Sequence, residues 1–374
     1  MHATSNARRT SWAHSARTIL AGLGSLALAA VVGLGAAGLF HAGAGATRAG
    51  VAAPANTTIL HVRGARTEPG GRAHPTVTLE AWLDEATNEG KIVQTTPDGA
   101  VLDIEAVDHG TYVHYLADAR HAVIRNNIAP GSSSATRLRT ELFLYQDAVG
   151  RGRGQIVGQG RIGARATNRV RLALDGQPVV GEVDQATGLA LHEEFGPPGA
   201  GQQTRETTYG TVEHLSRASL APGTFQVALP ADAAREEYTE RRGDELSSVP
   251  NGLPYAVYAA PPDAGTPTSA FHRTSLAPGV MPSDTYYLIY RTPDGEVQVL
   301  SGLPPDAAAL QGKPGAPLRH PQRLSIGGIG WEAEAAGSGF QGSAQLGNTY
   351  VTIFAPNRAV FEHVAGALRL LGGQ

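Results

Sequence analysis

Four groups of residues in this chain have types and spacings that could do chemistry. Gly158-Gln-Gly160-Arg-Ile-Gly163 matches G-x-G-x-x-G. A dinucleotide site needs that loop to open a helix whose N-terminus meets the pyrophosphate. Here Val170, Leu172 and Leu174 alternate with Arg169, Arg171 and Ala173, which is strand periodicity. Asp175 also follows too soon for the acid expected about 20 residues on. Among the 13 histidines, His109 and His114 approach each other across a hairpin, and His192 precedes Glu193-Glu194. Zinc wants three or four convergent ligands, and none of these spacings supplies them. Asp103 and Glu105 share one face of a strand, as carboxylates on many sheets do. G-x-S-x-G, H-E-x-x-H and S-x-x-K are absent. No catalytic residue, metal or cofactor is therefore expected, and the residues predict binding. A hydrolase with a site assembled from scattered loops is the alternative from another class.

The fourth group is basic. Arg151, Arg153, Arg161, Arg165, Arg169 and Arg171 occur with no acid between them. They suit lipid phosphates or an acidic partner peptide, or simply form the solvated face of two strands. No aromatic residue interleaves them, which argues against nucleic acid. The net charge of −3 points the same way. With no cysteine, disulfides, thiolate metal sites and cysteine nucleophiles are excluded.

The elements that must position these groups are mostly strands. The 47 glycines and 24 prolines favour short strands joined by turns. Strands are predicted at 57–62, 76–83, 91–95, 101–107, 111–116 and 122–125, an antiparallel meander with Asp98-Gly99 as a hairpin turn. After a break at 130–134, Leu142, Tyr145 and Val149 have helical spacing, which predicts a helix over 139–149 crossing the sheet. Strands resume at 155–166, 169–174, 179–184, 189–194 and 204–216, and a closing segment follows at 224–230. The charged stretch 233–249 reads as a linker. Further strands are expected at 284–291, 296–301, 322–326, 330–334 and 349–354. The chain ends in an amphipathic helix over 358–371, capped by Asn357 and stopped by Gly372.

Ile19–Phe40 is a run of 22 uncharged, mostly apolar residues preceded by Arg8, Arg9 and Arg17. About 20 helical residues span a bilayer core, and the basic flank is expected to stay inside. That makes 1–18 a short cytoplasmic N-terminus, 19–40 a transmembrane anchor and 41–55 a flexible linker. A cleaved signal peptide is the rival, since Ala42-Gly-Ala44 and Ala44-Gly-Ala46 fit a cleavage site. Both readings put the bulk of the chain outside the cytoplasm, in the cell membrane or secreted.

Trp82, Ile104, Tyr115, Ile124, Leu142 and Tyr145 belong to elements that face one another if the meander curls over the helix. They are either an ordinary core or an apolar groove roomy enough for an acyl chain.

Residues 181–194 read G-E-V-D-Q-A-T-G-L-A-L-H-E-E, and after one more strand the chain reaches Phe225-Gln-Val-Ala-Leu-Pro230. This order resembles the superfamily of lipoprotein carriers and sigma-factor regulators that includes LolA, RseB and MucB. Asp184, Thr187, Gly188, Leu189 and Leu191 match its pattern, while Ala190 replaces the usual proline. The resemblance covers residues 56–232 and implies an α+β fold, a curved antiparallel half-barrel with covering helices. A weaker likeness makes 250–374 a smaller C-terminal α+β domain. It also implies a partner: a lipid or acylated protein, or an anti-sigma or other membrane protein. The expectation is a membrane-anchored extracytoplasmic binding protein in envelope-stress sensing, with a lipoprotein or lipid carrier as the alternative.

Overall fold

The computed structural model describes residues 58–67, 76–174, 177–196, 203–276, 283–303, 321–337 and 339–372. The expected anchor, its flanks and the Asp175-Gly176 turn lie outside the described residues. Among the described residues no helix is long and apolar enough to cross a membrane.

The first strands follow the alternation in the sequence. They are β1 (Thr58–Thr67), β2 (Thr76–Asp84), β3 (Gly90–Thr95), β4 (Val101–Asp108), β5 (Thr111–Leu116) and β6 (His121–Asn126). Helix α1 (Arg137–Gly150) follows, then β7 (Gln155–Ile162), β8 (Arg165–Leu174), β9 (Gln177–Asp184), β10 (Ala190–Phe195) and β11 (Gln203–Ser216). The G-x-G-x-x-G run therefore lies on β7 and the turn into β8, and no helix follows it.

The expected linker is not one. Ala234–Arg241 forms β12, which pairs in parallel with β6 and antiparallel with β14 (Ser269–Leu276). Its charges do not prevent strand pairing because both neighbours supply counterparts, as with Arg273 and Glu236. A short β13 (Val257–Ala259) lies between them in sequence. The chain continues with β15 (Ser283–Thr292), β16 (Gly295–Gly302), β17 (Gln322–Ile326), β18 (Ile329–Ala336), β19 (Gly339–Leu346) and β20 (Thr349–Ala355). Helix α2 (Arg358–Gly366) ends earlier than its apolar pattern predicts, and Arg369–Gly372 becomes β21, paired with β13.

These pairings form one open sheet of 19 strands. Its order runs from β7 through β8, β9, β10, β11, β1, β2, β3, β4, β5 and β6. It then crosses the parallel seam to β12, β14, β15, β16, β20, β19, β18 and β17. Every other pairing is antiparallel, so the sheet is mixed at one place only among the described residues.

The two helices dock by the same device. Leu138, Leu142, Phe143 and Tyr145 bury the inward side of α1. The ring of Tyr145 lies so close over Gly181 that a Cβ there would come within 2.5 Å of it. In α2, Phe361 lies over Gly342 in the same way, at 2.4 Å from the position of an added Cβ. It also meets Trp331 edge-on. Sheets pack tightly against aromatic side chains only where a neighbouring residue has no side chain to obstruct them.

The motif D-Q-A-T-G also has a second copy that the sequence reading passed over, D-E-A-T-N at residues 84–88. Both form one turn. Asp84 Oδ1 accepts from the amides of Ala86 and Thr87, at 2.9 and 3.2 Å, and Asp184 Oδ1 accepts from the amide of Ala186 at 2.9 Å. Asn88 and Gly188 take positive φ at the same place, 61° and 77°. An arginine then closes each turn, Arg217 on Asp84 and Arg165 on Asp184, both at 2.8 Å. Carboxylates buried this deeply need both kinds of partner.

Candidate functional site

Strand register decides which side chains can share a site, because directly opposed residues lie on one face. Leu60, Val62, Leu79, Ala81, Leu83, Ile92 and Val107 pack with α1 and define the inner face. Of the six residues expected in one groove, only Leu142 and Tyr145 lie there. Trp82 opposes His61, Ile104 opposes Tyr115, and Ile124 opposes Val113, all one step out of phase with the inner face. The single groove is therefore not formed. Trp82 stacks on His61 instead, with centroids 5.1 Å apart. Ile104 and Tyr115 make a small cluster on the opposite face with Ala122, Leu229 and Ala233, from the closing segment and the residues after it. The helix does cross the sheet as expected, but period-2 alternation sends four of the six away from it.

In their place the inner face beneath α1 carries charge. Arg66, 2% exposed, donates to Glu141 at 2.7 Å and to Thr207. Arg137 clasps Glu105 with two bonds of 2.8 and 3.0 Å, and Tyr112 donates to the same carboxylate. Arg205 lies 3.8 Å from Glu141 and 3.5 Å from Glu193, to which Tyr145 donates at 3.2 Å. Burial alone would raise the Glu141 carboxyl, but Arg66, Arg137 and Arg205 outweigh it and hold it down to about 2. Glu193 goes the other way, raised by burial that Arg205 and Arg66 only partly offset. Sequence reasoning missed this network. Its one visible signal is that Arg66 follows Val62 and Gly64 on the same side of β1, and Glu141 shares the helix face of Leu138, Leu142 and Tyr145.

Two clusters could be weighed for a metal ion: Asp103, Glu105 and His114, and Glu89, Asp108 and His109. In the first, Arg137 and Tyr112 already take Glu105, and His114 lies 3.2 Å from Asp103. Burial lowers the His114 imidazole, yet Asp103 and Glu105 together raise it, the behaviour of an ion-pair partner. In the second, Arg217 takes Glu89 at 2.5 Å. Both clusters are better described as neutralised ion-pair groups.

Farther along the inner face, past the strands on which α1 rests, the register aligns Tyr112, Arg125, Tyr238 and Arg273 across β5, β6, β12 and β14. Arg125 and Arg273 stack on Tyr238, 5.3 and 5.8 Å from its centroid. Arg273 also reaches Glu236 at 2.8 Å and the Tyr287 hydroxyl at 3.4 Å. Glu236 is held below its ordinary range, since Arg273 and His121 overcome the upward push of burial. Arg125 has no acidic partner among the described residues, and its Nε is buried without a hydrogen bond. The row is half-buried, with Arg273 27% exposed. Two guanidiniums, three tyrosines and one carboxylate can hold a carboxylate or an aromatic side chain by bidentate bonds and stacking.

No family model matches the chain, and no curated protein matches it. Among solved structures, it is similar to MucB in the Pseudomonas aeruginosa MucA/MucB complex, at 15% identity and a TM-score of 0.28 over 84% of this chain and 94% of that one. It is similar to the Mycobacterium tuberculosis lipoprotein LppX at 15% identity and a TM-score of 0.22, over 41% of this chain and 85% of that one. An uncharacterized conserved protein from Thermus thermophilus matches at 10% identity and a TM-score of 0.31, over 49% of this chain and 91% of that one. MucB is among the proteins whose superfamily the strand-and-turn motif resembles. Likenesses of this degree carry no argument about what the chain binds.

Proposed function

We propose that this chain is a membrane-tethered, extracytoplasmic binding protein that holds a segment of a partner protein on the open inner face of its sheet and catalyses nothing. The tether is residues 19–40, and the binding element is the row Arg125–Tyr238–Arg273 with Tyr287 beside it. One observation carries the reading: Arg125 and Arg273 flank a single tyrosine, and among the described residues only Glu236 balances them. Half-buried guanidinium is costly unless paired, and a partner's carboxylate would complete the set. A partner's aromatic ring would stack in the same row.

An acyl chain is the second reading. The half-buried Trp82, Ile104 and Ile124 on the opposite face favour it. An acyl chain there would have to displace Leu229 and Ala233, which already pack against Ile104 and Tyr115. The partner segment is therefore preferred, and sensing of envelope stress through a second membrane protein follows as the physiological form.

Native mass spectrometry of the full chain released from membranes tests this. A bound polypeptide mass present in the wild type and absent from the R125A/R273A variant is the expected result. A bound lipid mass unaffected by that variant would replace the first reading with the second.

A further inference from the structure

The two ends of the open sheet are finished differently. At one end β17 also pairs with a single strand, β18, but its Leu324 and Ile326 pack into the core that α2 joins. At the other, β7 pairs with β8 alone, and every one of its residues but Gly158 is exposed. Ile156, Val157 and Ile162 are 49%, 38% and 38% exposed, three of the few large apolar side chains left in solvent. Bare strand edges with apolar side chains invite another strand, and proteins ordinarily cover or blunt them.

The charge around this edge has one sign. Asp147 is the last acid before β7, and the next is Asp175. Arg165 and Arg169 are consumed by Asp184, Glu182 and Glu194 within the sheet. Arg153, Arg161 and Arg171 are exposed and have no acidic partner among the described residues. Two copies pairing edge to edge would bring these arginines together, so self-association is opposed. A bulge between Ile156 and Gly158 interrupts the ladder there and leaves Gly158–Ile162 regular.

We infer that β7 is a docking edge for an extended acidic segment of a partner protein, which adds a strand beside Gly158–Ile162 and pairs its carboxylates with Arg161 on one face, with Arg171 on the other face beyond the bulge, and with Arg153 before the strand. Main-chain hydrogen bonds supply affinity in such additions, and side chains supply selectivity. Lipid phosphates would satisfy the arginines but would leave the strand edge unpaired, so the peptide accounts for both features. This edge is separate from the Arg125–Tyr238–Arg273 row and does not depend on it.

The probe is the fluorophore-labelled octapeptide Thr-Glu-Glu-Val-Glu-Glu-Val-Thr, which presents carboxylates on both faces of an added strand, titrated against the full chain in detergent by fluorescence anisotropy. Saturable binding is expected, with at least a tenfold loss in R153E/R161E/R171E. An equal loss is expected for the same peptide N-methylated at alternate residues, which keeps the charge and removes the strand edge. The R125A/R273A variant should bind as the wild type does, so the two sites fail independently. Unchanged affinity of the N-methylated peptide would overturn the inference, as would unchanged affinity of the triple variant. So would no peptide binding by a chain that does bind phosphatidylglycerol vesicles.

Discussion

The carboxylate of Glu141 is kept ionised by the arginines around it, and that has a pH signature. Glu141, whose side chain is 17% exposed, falls from an ordinary 4.5 to about 2. A carboxyl depressed in the folded state contributes fully above its unfolded value and loses that contribution as pH falls toward the folded one. Stability is therefore expected to drop between about pH 4.5 and 2, by about 3 kcal/mol from this group. Glu193, raised in the fold, gains on protonation and offsets part of the drop. Urea unfolding across that range should show a shallower acid slope in E141Q. Removing Arg66 takes its 2.7 Å hydrogen bond from Glu141 and leaves that carboxylate to Arg137 and Arg205 at 3.8 Å, so R66M should cost up to about 3–5 kcal/mol at neutral pH. At His114 the prediction is directional: D103N lowers the imidazole pKa, as read by NMR titration, because the carboxylate 3.2 Å away loses its charge.

Little of this was legible residue by residue. Arg66, Glu105, Glu141, Glu193 and Arg205 are spread over 140 positions, and beyond the phase of Arg66 on β1 and of Glu141 on α1 nothing local marks them as partners. Only register brings them together.

Elements were read far better, because periodicity is local. β1–β6, α1 and β8–β11 stand close to where alternation puts them. The misses have physical reasons. β12 is charged, and β19 (Gly-Phe-Gln-Gly-Ser-Ala-Gln-Leu) has few good strand formers, yet both are held by partners on each side. α2 stops at Gly366 and the chain turns to pair with β13, although the apolar stripe runs on. The Asp-x-Ala-Thr turn occurs twice, at 84–87 and 184–187, and only the second copy carries the family resemblance. At this scale the helix seats make the prediction. G181A should push Tyr145 off β9, and G342A should push Phe361 off β19, each costing about 1–3 kcal/mol by overpacking. Thermal unfolding of both variants checks it, and no loss in either would show that the aromatic ring can yield.

The molecule as a whole is one sheet with apolar clusters on either side of the parallel seam, two around α1 from β1–β5 and β8–β11, and one around α2 from β13–β20. The parallel contact of β6 with β12 joins them, and no local pattern could have shown it. Loss of the expected groove follows from the same geometry, since alternation sends Trp82, Ile104, Tyr115 and Ile124 to the face away from the helix. The bare β7 edge makes the prediction at this scale. R153Q/R161Q/R171Q removes the repulsion that keeps copies apart, so sedimentation velocity should show concentration-dependent dimers that the wild type lacks. A variant that stays monomeric would mean that the bulge alone protects the edge.

The central claim is that the row around Tyr238 is where a partner segment sits. Photo-crosslinking from a benzoylphenylalanine at position 238, in cells, tests it directly, with position 82 on the opposite face as the control. The account predicts a polypeptide adduct from 238 that disappears in the R125A/R273A background, and none from 82. An adduct from 82 and none from 238, or lipid alone at either position, would contradict it.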